Sequence, residues 1–305
     1  MNKMSEVKNP DYKVLLPELG GREEFFELTP SQMRTVIGGA GPHRVAPFDK
    51  NVAVHERASS CESLVDIYPD AISVGGVLGS TDDRGNIAFG AWMSIPLTAM
   101  SFYLTSLMGY DKWYNWVFFT PAAFAFAVGC VYFFKVAYFT PTDVPILFNR
   151  VTREVTFSQL DFPRYWKFWS RPRFREPITV SWKSVQARSF KFTQFMGSTL
   201  RNSYRLEIWA PESEGSRKLL VKESIGYLGS YEDEKLWRLY EHIRRYMEEG
   251  GPAIQVGERM RKVGRGGKVS PFPEQVLQKL GGPPLRVEEI ELLAQNGKSG
   301  ELDQL

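Results

Sequence analysis

Two long apolar stretches, separated by eight residues, constrain this chain more than any other feature. Residues 87–108 carry no charge, and residues 117–134 are also uncharged and continue past Lys135 to residue 139. A bilayer core requires about 20 apolar helical residues, and inside lipid a helix can satisfy its own backbone groups. The link of residues 109–116 is too short to fold by itself, so we expect a two-helix transmembrane hairpin, 87–108 and 117–139. The alternative is a buried helical hairpin inside a soluble protein.

Residues suited to the membrane interface lie in and around both stretches. Trp92 belongs to the first stretch, Trp113 and Trp116 precede the second, and Lys135 lies near its exit. Indole rings favour the head-group level, because they are apolar but carry one polar N–H group. We therefore predict Trp92, Trp113, Trp116 and Lys135 as membrane anchors.

The distribution of charge predicts the orientation. Residues 150–191 contain ten Lys or Arg and three acidic residues. Basic segments that flank a span tend to stay in the cytoplasm. Two spans place both termini on one side, so we expect a multi-pass protein of the bacterial inner membrane with both termini cytoplasmic. The two cysteines, Cys61 and Cys130, are not expected to pair in this compartment.

The chain outside the hairpin divides by composition into three parts. Residues 1–86 contain six prolines and are expected to be only partly ordered, with a short strand near residues 71–77. Residues 145–251 are expected to form the folded cytoplasmic domain, because alternating apolar residues predict strands at 145–157, 178–182, 185–192, 204–210 and 218–224. Residues 252–305 are predicted to be a flexible tail with two short candidate helices, 274–280 and 287–295. The second helix either docks on a partner or forms only transiently. Whether residues 1–86 fold onto the domain stays open.

The pattern changes from strand to helix near residue 231. Leu236, Tyr240, Ile243 and Met247 recur in steps of four, three and four, which places them on one helical face. Ser230 is expected to cap this helix, and Gly250 to end it. Strands followed by one long helix resemble a pleckstrin-homology (PH)-like domain. The expected fold class is therefore an α+β membrane protein with a PH-like sheet capped by a C-terminal helix.

Motifs of the common enzyme classes are missing from the sequence. It contains no GxxxxGK[ST] loop, GxSxG elbow or HExxH pair. The histidines, including His43, His55 and a His242 expected at the domain surface, form no ligand set of familiar spacing. The alternative is a catalytic site in which Cys61 is a nucleophile paired with His43 or His55. We therefore expect no enzyme, cofactor or metal site, and no nucleic-acid partner.

A basic, aromatic segment after the second span is the candidate binding site. Aromatic rings in residues 163–175 can enter a membrane interface while the cations meet phosphate groups. The other interpretation is that these rings fill the domain core and the cations are solvated. The predicted interface or partner-binding residues are Arg164, Tyr165, Trp166, Lys167, Trp169, Arg171, Arg173 and Arg175.

The hairpin, the sequence PILFNRVTREVTF at residues 145–157 and LWRLYEHIRRYMEEGGP at residues 236–252 together resemble a known group of proteins. This group is an uncharacterised family of two-span bacterial inner-membrane proteins that are often encoded beside type VI secretion effectors. The resemblance covers roughly residues 80–255. It implies a role near contact-dependent antagonism, for which no catalytic residues are defined.

Three functions follow as hypotheses. The first is a membrane-anchored binding protein, with immunity against a type VI secretion effector as one form of that role. The second is a lipid-associated structural or scaffold protein of the inner membrane, and the third is a membrane-active effector. The expected partners are anionic lipid and a protein, either an effector or a membrane complex.

Overall fold

The computed structural model describes most of the chain. Its described residues are 14–19, 25–30, 32, 41–77, 81–107, 113, 115–139, 144–161, 167, 169–170, 172–195, 199–230, 232–262 and 272–296. The chain is a mixed α+β protein. The strands are β1 (Arg44–Val45), β2 (Leu64–Ile67), β3 (Ala71–Gly75), β4 (Pro145–Asn149), β5 (Glu154–Phe157), β6 (Leu160–Asp161), β7 (Arg173–Phe174), β8 (Ile178–Ser181), β9 (Gln186–Phe195), β10 (Leu200–Pro211) and β11 (Leu219–Ser230). The helices are α1 (Thr81–Leu107), α2 (Thr120–Phe139), α3 (Glu234–Glu248), α4 (Glu274–Leu277) and α5 (Val287–Asn296).

The larger sheet combines strands that precede the apolar helices in the sequence with strands that follow them. Its antiparallel order is β2-β3-β4-β5-β8, and β3 pairs with β4 from Ala71 opposite Asn149 to Gly75 opposite Pro145. The predicted strand at residues 71–77 and the predicted hairpin at 145–157 are therefore direct neighbours. A folded domain that starts only at residue 145 is not what the structure contains. Residues 64–75 supply two of its five strands, and all five residues of β3 are buried with β4 beside them.

The second sheet has the antiparallel order β1-β9-β10-β11. β1 pairs with β9 through Arg44 opposite Ser189, so the N-terminal part of the chain also closes one edge of this sheet. β9, β10 and β11 confirm the three predicted strands, and each extends beyond the predicted limits.

Helix α3 lies between the two sheets and closes the main core. Leu236, Tyr240, Ile243 and Met247 are buried as the periodicity predicts, and Trp237 is completely buried among residues of both sheets. The helix begins at Glu234 with Asp233 as its N-cap residue. The predicted cap at Ser230 is wrong, because that residue ends β11 instead.

The apolar stretches form two long helices that pack on each other. Of the helices within the described ranges, one segment, Val117–Phe139, is long and apolar enough to cross a membrane. It begins in a π-helical turn, Asn115–Phe119, and continues as α2. Helix α1 is less apolar, because its first turn contains Asp82, Asp83 and Arg84 and the rest carries several hydroxyl groups. Those of Thr98 and Thr105 donate to carbonyls one turn earlier, Ser94 and Ser101, at 2.8 Å each.

The described part of the C-terminal region is packed rather than flexible. Ala253 and Ile254 join the main core directly after α3, and α5 adds Ile290 and Leu293 to it. Phe272 and Leu280 cover Tyr68, Ala71 and Leu147 on the other face of the larger sheet. The prediction of a flexible tail from residue 252 onward is therefore wrong for these residues, whose apolar side chains are removed from water.

His242 is buried and not on the surface as predicted. Its Nε2 lies 3.1 Å from the Ala253 carbonyl oxygen, and its Nδ1 lies 3.3 Å from the Gln255 side-chain amide. Burial lowers the pKa of His242. The residue therefore fixes the turn that leads from α3 into the C-terminal region.

Candidate membrane-facing surface

One end of the larger sheet carries the connections to both apolar helices. Gly75, the last residue of β3, is opposite Pro145, the first residue of β4, and the Gly76 N–H donates to the Val144 carbonyl at 3.1 Å. The chain therefore leaves the sheet toward α1 and returns from α2 at adjacent strands, which lie about 5 Å apart. The helix-side end of the sheet is defined by Leu64, Gly75, Pro145, Phe157 and Ile178.

The predicted basic, aromatic segment starts and finishes at this same end. Phe157 pairs with Ile146 on one side and with Ile178 on the other, so the connection from β5 to β8 must leave from the helix-side end. The Ser158 hydroxyl donates to the Pro145 carbonyl beside the exit of α2. The base of the connection is the two-residue ribbon of β6 and β7, in which Leu160 is opposite Phe174. We call residues 158–177 the β5–β8 loop.

The predicted site residues of this loop are solvated where the structure describes them. Lys167, Arg173 and Arg175 are exposed, and 63% of the Trp169 surface is accessible. Trp169 is therefore not part of the domain core, which was the other interpretation of this segment. Arg164, Tyr165, Trp166 and Arg171 lie outside the described residues.

One of these cations is partly neutralised. An Arg175 guanidinium nitrogen lies 2.7 Å from an Asp161 carboxylate oxygen, and both side chains are more than half exposed. An exposed pair of this kind contributes about 0–1 kcal/mol to stability. Among the exposed described cations of the β5–β8 loop, Lys167 and Arg173 therefore keep their full charge toward the surroundings.

The four predicted anchors have different surroundings. Trp92 is more than half exposed and donates through Nε1 to the Tyr138 hydroxyl at 2.9 Å, so it lies level with the end of α2. Trp113 is 70% exposed, and Lys135 is half-buried. Trp116 belongs to the π-helical turn before α2. Trp92 and Trp113 therefore present their rings to the surroundings of the helices.

The most concentrated buried charges serve the fold. Asp233 has no exposed surface, and its Oδ2 accepts from Trp237 Nε1 at 2.8 Å and from the Ser189 hydroxyl at 3.1 Å. Arg44 Nε lies 3.3 Å from the same oxygen. This cluster joins β1, β9 and the start of α3. A sequence cannot reveal it, because its members are separated by up to 193 positions, although an acid at a helix N-terminus is a common structural residue.

Cys61 and the histidines do not form a nucleophilic pair in the described part of the chain. The polar neighbours of the Cys61 Sγ atom are the Ser59 hydroxyl and the Lys235 carbonyl, each at 3.3 Å. Burial raises the pKa of the Cys61 thiol, which disfavours the reactive thiolate. His55 lies at 3.6 Å from the Glu234 carboxylate instead. Among the described residues, no group of three or more His, Cys, Asp or Glu side chains is arranged to hold a metal ion.

Comparisons with protein-family models, curated proteins and solved structures find no match to this chain.

Proposed function

We propose that this chain is a membrane-anchored binding protein whose β domain is held at the membrane surface by a hairpin of α1 and α2. The pairing of Gly75 with Pro145 carries the proposal. An insertion that leaves and re-enters one sheet at adjacent strands keeps the chain before and after it on the same side of a membrane. The domain and both flanking segments then share one compartment.

The surface of the helices supports the membrane part of this proposal. Large apolar side chains on both helices point away from the protein, including Phe89, Met100 and Leu107 on α1 and Phe124 and Phe126 on α2. An exposed apolar surface of this extent favours a membrane or protein environment over water. Helix α1 would cross beside α2, because Trp92 and Phe134 pack edge to face with ring centroids 5.4 Å apart.

The charge distribution supports a cytoplasmic location for the domain. Lys135 lies near the end of α2, and the basic β5–β8 loop leaves the sheet beside the same exit. Cytoplasmic flanks are enriched in Lys and Arg, and the inner leaflet carries anionic lipid that attracts them. We infer that both termini are cytoplasmic and that Lys167, Trp169 and Arg173 contact lipid head groups.

The order of elements supports a PH-like domain. Antiparallel strands of two sheets are followed by the helix α3, which closes the core between them. In this proposal the hairpin is an insertion between the second and third strands of the larger sheet, β3 and β4. The domain then presents its helix-side end to lipid and its other surfaces to a cytoplasmic partner.

A fusion experiment tests the topology. Green fluorescent protein should fluoresce, and alkaline phosphatase should be inactive, when either is fused to the N-terminus or the C-terminus. After residue 111, between the two helices, phosphatase should be active and the fluorescent protein dark. Opposite signals at the two termini would refute the hairpin.

The protein partner is a separate proposal that rests on the resemblance described above. A resident binding domain at the inner membrane is suited to intercept an effector there, which is how an immunity protein acts. Deletion of the gene should then make cells sensitive to the neighbouring effector, and the intact gene should restore resistance. Full resistance of the deletion strain would exclude this role and leave the lipid-associated function.

A further inference from the structure

A second basic segment lies at the helix-side end of the sheet, on the opposite side from the β5–β8 loop. The chain after α3 returns to the first residues of β2, where the Arg261 N–H donates to the Leu64 carbonyl at 2.8 Å. Leu64 is paired with Val74, next to the residue that leads toward α1. Arg261 therefore lies in space beside the point where the chain leaves toward α1, although 186 positions separate it from Gly75 in the sequence.

Two contacts hold this segment in place. The Glu258 carboxylate accepts from the Ser60 backbone N–H at 2.8 Å and from the hydroxyls of Ser59 and Ser60. The Arg261 guanidinium is buried, stacks on the Tyr227 ring at 4.5 Å from its centroid, and lies against Gly75. A residue with any side chain at Gly75 would overlap that guanidinium, so glycine permits the close approach.

The fixed segment leaves two cations in solvent. Arg259 and Lys262 are exposed on either side of the buried Arg261, and within the described ranges neither makes an ion pair. The next two cations in the sequence are Arg265 and Lys268, and the next acid after Glu258 is Glu274.

We propose that Arg259 and Lys262 form a second contact with anionic lipid head groups, so that the domain rests on the membrane on both sides of the helices. This inference depends on the proposed membrane-anchored function. The order of the sheet supports it, because β2 and β8 are its two edges and the helices leave from β3 and β4 between them. Strands lie about 4.8 Å apart, so the two contacts are separated by roughly 20 Å.

The balance of exposed charge at this end favours anionic lipid over a zwitterionic surface. In the described residues of the β5–β8 loop and of residues 259–262, five cations are exposed against two carboxylates, and one of the carboxylates is already paired with Arg175. The cations are Lys167, Arg173, Arg175, Arg259 and Lys262, and the carboxylates are Asp161 and Glu176.

Amide hydrogen exchange on the full-length protein in lipid nanodiscs tests the proposal. Discs of phosphatidylcholine alone are compared with discs that also contain phosphatidylglycerol, and peptides that cover residues 255–270 and 158–177 are followed. We expect anionic lipid to slow exchange in both segments by about fivefold or more, since each cation near the surface contributes about fivefold in affinity. A salt concentration of about 0.5 M should remove most of the difference.

Matched variants separate the two contacts. Arg259→Ser combined with Lys262→Ser should remove the lipid-dependent protection of residues 255–270 and leave that of residues 158–177. Lys183→Ser is the control, because Lys183 is exposed beyond Ser181 at the opposite end of the sheet and should change neither. An unchanged unfolding temperature of the double variant shows that it is folded.

The possible outcomes distinguish failure of the second lipid contact from failure of the proposed function. Protection of the β5–β8 loop alone overturns the second contact but leaves the proposed function. If the double variant keeps the protection of residues 255–270, the second contact is also overturned, because Arg259 and Lys262 then play no part in it. Absence of protection in both segments refutes the lipid contact of the proposed function as well.

Discussion

Removal of the Asp233 carboxylate tests whether the N-terminal strand belongs to the domain. Asp233→Ala deletes the acceptor of the Trp237 and Ser189 hydrogen bonds and the carboxylate that lies 3.3 Å from Arg44 Nε. Removing one partner from a buried pair costs about 3–5 kcal/mol. Arg44 keeps a second carboxylate, Glu18, at 3.0 Å, so we expect the lower end of this range, about 3 kcal/mol.

Urea unfolding in mild detergent, followed by tryptophan fluorescence, measures this loss. With a slope of about 2 kcal/mol per molar urea, the midpoint should fall by about 1.5 M. The control is Glu232→Ala, which removes the neighbouring carboxylate at a half-buried position. It should change the free energy of unfolding by less than about 0.5 kcal/mol.

A double-mutant cycle assigns the loss to the contact with β1. Arg44→Met is combined with Asp233→Ala, and the coupling between them should be about 1–3 kcal/mol. A coupling near zero would show that β1 does not contribute through this contact. A loss below about 1 kcal/mol for Asp233→Ala would refute the reasoning as a whole.

Three further changes follow from the packing. Burial, together with the neighbouring Glu207 carboxylate, raises the pKa of Glu223 to about 7. Between pH 4.5 and about 7 the folded state therefore holds a proton that the unfolded chain releases, and the free energy of unfolding falls as the pH rises through this range. Glu223→Gln should remove up to about 3 kcal/mol of this dependence, measured as urea midpoints at pH 5 and 8; equal slopes with pH in both proteins would contradict it. Leu280→Ala should cost about 2–4 kcal/mol, because its side chain is buried against the second face of the sheet, and a change below about 1 kcal/mol would show that the C-terminal region is not docked. Gly75→Ala should displace the Arg261 guanidinium and speed amide exchange at residues 258–262, whereas Gly215→Ala, at an open turn, should leave that exchange unchanged.

The sequence pattern predicted those strands and helices whose buried residues lie close together in the sequence. The alternation of Ile146, Phe148, Val155 and Phe157 predicts the pairing of β4 and β5, since all four side chains face one core. The helical spacing from Leu236 to Met247 predicts α3 for the same reason. Both sets are close in sequence and share one buried face.

Features that depend on distant partners were not predicted. β2 has only four residues, which is too short for a clear alternating pattern. Its partner β3 pairs on the other side with β4, which follows both apolar helices in the sequence. Phe272 stands alone between two prolines, so no periodicity marks it as a core residue. The β5–β8 loop was predicted as a site from its composition, but its position beside the helices depends on the register of the sheet.

The insertion of the hairpin between β3 and β4 sets an order of events during synthesis. About 70 residues separate Gly75 from Pro145, so at about 5–20 residues per second β3 leaves the ribosome roughly 4–14 s before its partner. In the meantime its buried residues have only β2 as a neighbour. In the proposed topology, membrane insertion of the two helices brings the waiting strand and the arriving one together and so reduces the entropy cost of closing a long loop. A cell in which insertion is slowed should therefore accumulate chains with an exposed sheet edge, which are substrates for chaperones and proteases.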